Sequence, residues 1–99
     1  MDLDKAKKRI AKQVKKGFGG YPMISLAYFG ATSECATEVV VTFLADAGAQ
    51  AQVQKFSGSS DVRQDETIQS VLVKIIELAE PKTVTEVAGV ALAVHSITV

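Results

Sequence analysis

The chain predicts an α+β fold: a small antiparallel sheet, in the order helix-strand-strand-strand-helix-strand, with helices packed on one face. Three observations lead there. Apolar residues recur at helical spacing in two segments, residues 3–16 and the stretch between Asp65 and Pro81. Short apolar or alternating runs occupy 23–29, 38–45 and 50–55. Only brief turn-like stretches join those runs, which implies antiparallel pairing.

The first helix is marked by Leu3, Ala6, Ile10 and Val14, a narrow stripe at spacings of three and four. Asp2 is a suitable N-cap, Asp4 suits the positive helix start, and Lys15 and Lys16 suit its negative end. Gly17 stops it. Gly17, Gly19 and Gly20 then form a loose connection ahead of Pro22. They follow a helix and precede a strand, the reverse of a phosphate-binding glycine loop.

Met23, Ile24, Leu26, Tyr28 and Phe29 mark the first strand, and Gly30 to Cys35 reads as a turn. In 38–45, Val39, Val41 and Phe43 oppose Val40, Thr42 and Leu44. Both faces are apolar, so this strand belongs inside the sheet. A turn at Asp46, Ala47 and Gly48 leads to a strand that sets Gln50, Gln52 and Gln54 on a wet face.

The second helix carries Ile68, Val71, Leu72, Ile75, Ile76 and Ala79 at helical spacing, with Asp65 as cap and Pro81 as stop. Thr83 and Glu86 have capping-box spacing, which favours a third helix. Eight β-branched residues between Val84 and Val99, together with Gly89, favour one bent strand or two short ones. The strand reading is preferred.

The helix-strand-strand-strand-helix order over residues 3–80 resembles that of double-stranded RNA-binding domains. In that family a basic cluster at the start of the second helix contacts RNA. Here Asp65 and Glu66 stand at that position and Lys74 is the helix's one base, so the activity is not carried over.

With 99 residues, 47% apolar and 22% charged, one domain spanning 1–99 is expected. The net charge of zero hides a polar distribution. Residues 1–16 hold seven bases against two acids, +5, and the remainder four against nine, −5. That basic segment, Lys5, Lys7, Lys8, Arg9, Lys12, Lys15 and Lys16, is the candidate contact for an anionic partner such as nucleic acid. Its bases are read as spread around the helix. With six aromatics and no Trp, a stacking platform for single strands is not expected.

The polar loop 57–65 is a candidate ligand loop through Ser59, Ser60 and Arg63, because it leads into a helix N-terminus. Cys35 and His95 are the one thiol and the one imidazole. Sixty positions apart, they show neither dyad nor metal-ligand spacing. No catalytic residue, metal or cofactor is expected. The single cysteine, the charged start Met-Asp-Leu-Asp-Lys and the lack of a run of ~20 apolar residues suggest a cytoplasmic protein without a membrane span. The functional expectation is a small non-enzymatic binding or regulatory protein that forms a homodimer. A nucleic-acid-associated protein ranks second and an enzyme third. The dimer is expected because a strand over 84–99 would be apolar on both faces and must lie inside the sheet or pair with another chain.

Overall fold

A computed structural model describes residues 2–32, 34–58, 60–87 and 89–92. The elements are α1 (Leu3–Lys15), β1 (Met23–Gly30), β2 (Glu38–Leu44), β3 (Gln52–Ser57), α2 (Glu66–Ala79), β4 (Thr83–Glu86) and β5 (Ala91–Leu92), with a 3-10 turn at Val62–Gln64. Asp2 caps α1 by accepting from the Lys5 amide at 2.8 Å, and Gly17 at φ +73° turns the chain out of it. Asp65 caps α2 through the Ile68 amide at 3.0 Å. Glu80 at φ 47° ends that helix directly before Pro81.

The α+β class and the element order stand. The sheet is mixed rather than wholly antiparallel. Strand order is β3-β2-β1-β4, with β1–β2 and β2–β3 antiparallel but β1–β4 parallel. The reason is topological. After β3 the chain returns along α2, so β4 must run in the direction of β1 and β3.

Both helices cover one face. α1 lies against α2 and over β4, while Ile75 and Ala79 of α2 approach Val41 and Phe43 of β2. Ile24, Leu26, Val39, Leu72, Val62 and Val84 are fully buried between these layers, each contributing about 1.5–3 kcal/mol of apolar burial. Ala6 and Ile10 place the predicted α1 stripe in that core. The register puts Gln52 and Gln54 on the helix side, opposite Phe43 and Val41, and Val53 on the outer side. The glutamine face expected to be wet is therefore the helix-side face of an edge strand, and all of residues 52–55 are exposed.

The C-terminal segment forms two short strands, as one of the expected arrangements has it, but at the edge of the sheet. Glu86 pairs with Leu26 and Ala91 with Phe29, so two extra residues interrupt the edge between them. The part of the expected strand beyond Leu92 lies outside the described residues.

Candidate functional site

Four places hold the chemistry of this molecule. The first is the solvent face of α1. Two of its seven bases point elsewhere. Arg9 pairs with Glu77 of α2 at 2.9 Å, and Lys7 donates to Gln64 at 3.4 Å. The other five, Lys5, Lys8, Lys12, Lys15 and Lys16, are exposed and have no ion pair among the described residues. Their offsets of three, four, three and one hold them within about a third of the helix circumference. All seven bases together cover more than half of the helix circumference, and these five make a narrower row within it. Once Lys7 and Arg9 are set apart by their contacts, the rest form a single row, which charge counting along the chain does not separate.

Phe18 follows this row two residues after Lys16 and is 71% exposed. Its ring stands edge-on to Tyr21, with centroids 5.9 Å apart at 81°. The segment that carries it is pinned rather than loose. Thr83, itself buried, accepts from the Gly19 amide at 2.8 Å and donates to the Gly20 carbonyl at 2.7 Å. A side chain at residue 19 would place its Cβ 2.7 Å from the Lys82 carbonyl oxygen, so glycine is required there. The sequence shows an aromatic among glycines. That the loop is tied to β4 follows only from a contact between residues 64 positions apart.

The second place is the loop 57–65. Arg63 donates to Asp61 through Nε at 2.9 Å and Nη2 at 2.6 Å, and to the Glu34 carbonyl at 3.2 Å. The Arg63 hydrogen bonds hold the Asp61 carboxyl below its usual range, and the same pair holds the guanidinium above its own. The Val62 amide donates to the Ala36 carbonyl at 2.7 Å, which fastens the loop to the β1–β2 connection. Ser60 is exposed, and Ser59 lies outside the described residues.

The third is a cleft of about 530 Å³ beyond the ends of β1 and β4. Lys7 and Arg63, from the two separate candidate sets, both line it. At its base the Tyr28 hydroxyl donates to Glu86 at 3.3 Å and accepts from the Gln69 amide at 3.4 Å. Gln69 also donates to the Val62 carbonyl at 3.1 Å. Burial pushes the Tyr28 hydroxyl up to about 12, so it stays protonated and donates. Sequence reading missed this triad because its members come from β1, α2 and β4.

The fourth is the outer face of the sheet. Met23, Ala27, Phe29, Val40 and Leu44 are half-buried there, and Val53 is 58% exposed. No described helix lies over them. A polar row crosses it: Ser25 of the interior strand β1 stands opposite Thr42 of β2 and accepts from the Thr85 hydroxyl of β4 at 2.9 Å. Glu38 and Lys55 are the only charged strand residues on this face among those described.

Cys35 is half-buried in a short bridge to Thr32, and His95 lies outside the described residues. Among the described residues no three His, Cys, Asp or Glu side chains gather as metal ligands, and no helix is long and apolar enough to cross a membrane. Comparison with family models, with curated proteins and with solved structures found no match for the chain.

Proposed function

We propose that this is a small non-enzymatic binding protein that works as a homodimer, two sheets packed back to back through their outer faces. The observation behind this reading is the apolar cluster on the outer face, Met23, Ala27, Phe29, Val40, Leu44 and Val53, with Ala27 and Val40 paired at its centre. Apolar surface of that extent is normally covered. A second copy suits it for three reasons. The face holds one acid and one base, Glu38 and Lys55, so a two-fold axis can set each against the other across the interface. Both sheet edges discourage strand addition: β3 is polar and bears Lys55, and the β4–β5 edge is short and interrupted. Strands of four to eight residues give a face of at most roughly 20 × 23 Å, about 900 Å² over two copies, which fits a weak, concentration-dependent pair.

Such a dimer is weak and concentration-dependent. It leaves both helix layers, with the α1 lysines, facing solvent. Sedimentation from micromolar to millimolar concentration should show a monomer–dimer equilibrium. Val40→Glu, whose new carboxylate can pair with Lys55 opposite it in the monomer, should abolish the dimer while leaving the circular dichroism unchanged. A wild-type protein that stays monomeric across that range would refute the reading.

A further inference from the structure

We propose that α1 and the loop after it bind single-stranded nucleic acid. Lys5, Lys8, Lys12, Lys15 and Lys16 contact successive phosphates, and Phe18 stacks a base. The inference does not rest on the dimer, since every residue it uses belongs to one chain and lies on the helix layer or its connecting loop.

The argument begins with charge. Five exposed lysines lie on one face of one helix, the acid of that helix, Asp4, stands only at its first turn, and Glu77 of the neighbouring helix is taken by Arg9. From Lys5 to Lys16 the row runs about 16 Å along the axis at 1.5 Å per residue. A flexible single strand tracking this row can place up to about five phosphates within reach of the five ammonium groups. An anionic membrane is the weaker fit. A surface-seeking helix must bury its apolar face in lipid, and the apolar face of α1 is already in the core through Ala6 and Ile10.

Phe18 decides between single strands and other polyanions. The bases of an intact duplex are already stacked and give an exposed phenyl ring nothing to bind, whereas an unpaired base can stack on it. This ring is the more exposed of the pair it forms with Tyr21. Its backbone is fixed by the two Thr83 hydrogen bonds and by the close approach of Gly19 to Lys82. The platform is therefore preorganised, which lowers the ordering cost of binding. Along the chain it follows the last lysine of the row by two residues.

The test is fluorescence anisotropy of the full chain with a labelled fifteen-nucleotide thymidine strand, titrated between 20 and 200 mM salt. Binding should weaken with salt along a log–log slope of up to about −3.5 for five phosphates. Lys8→Gln and Lys12→Gln should each flatten that slope by about 0.7. Phe18→Ala should weaken binding about 5- to 150-fold with the slope unchanged, and Phe18→Trp should restore it. Because Phe18 is exposed, an unaltered thermal midpoint is expected for both variants. The duplex of the same length and heparin should bind without sensitivity to Phe18→Ala. The proposal is overturned by any of three results: no binding of the strand at 20 mM salt, Phe18→Ala binding as wild type does, or equal loss on heparin.

Discussion

Thr83→Val tests how the Phe18 loop is held. The substitution keeps the shape of a buried side chain and removes its hydroxyl. That hydroxyl accepts from the Gly19 amide and donates to the Gly20 carbonyl. Each bond between neutral groups is worth about 0.5–1.5 kcal/mol net. Gly19 is exposed, so water can replace its lost partner, while Gly20 is half-buried and is less well served. The expected loss is about 1–2 kcal/mol. At roughly 4–8 °C per kcal/mol for a domain of this size, the thermal midpoint should fall by about 4–16 °C, and Thr83→Ser should recover most of it. Scanning calorimetry of the three proteins reads this directly. Nucleic-acid binding should weaken in Thr83→Val at temperatures where the protein is still folded, because Phe18 is then less well ordered. A midpoint within 1–2 °C of wild type would show that the hydroxyl does not hold the loop.

Two other outcomes follow from the core. Tyr28 is neutral in the folded protein up to about pH 12, while in the unfolded chain it ionises near its ordinary 10. The folded state thus binds the extra proton between those values. Stability from this group is intact below pH 10 and is lost as pH rises towards 12, by roughly 3 kcal/mol in all. Urea midpoints across that range should fall more steeply for wild type than for Tyr28→Phe, and parallel slopes would contradict this account. Deleting residues 1–16 removes buried Ala6 and Ile10 and half-buried Leu3 and Val14. That is roughly 4 kcal/mol or more of burial, a large share of the stability of a small domain. The truncated chain should lose its cooperative thermal transition, and an unchanged midpoint would mean that α1 is a peripheral arm.

Local chemistry was legible from the chain alone. Apolar spacing placed α1 and α2, because a helix must turn one stripe towards a core, and Ala6, Ile10, Leu72 and Ile76 are buried there. Asp2, Asp65 and Gly17 marked helix ends, because caps act over three or four residues. The apolar character of β2 on both faces placed it inside the sheet.

Contacts between distant residues decided the rest. Periodicity within a segment carries no information about which neighbour it pairs with, so the parallel β1–β4 pair and the edge position of the C-terminal strands had to come from the fold. The same holds for the cleft, where Tyr28, Gln69 and Glu86 meet from three elements. It holds for α1 as well. That the helix is basic could be read from residue type alone, since charge does not depend on the fold. Which lysines are free depends on contacts between elements far apart in the chain, because α2 takes Arg9, the 3-10 turn takes Lys7, and Thr83 fixes the loop from which Phe18 projects.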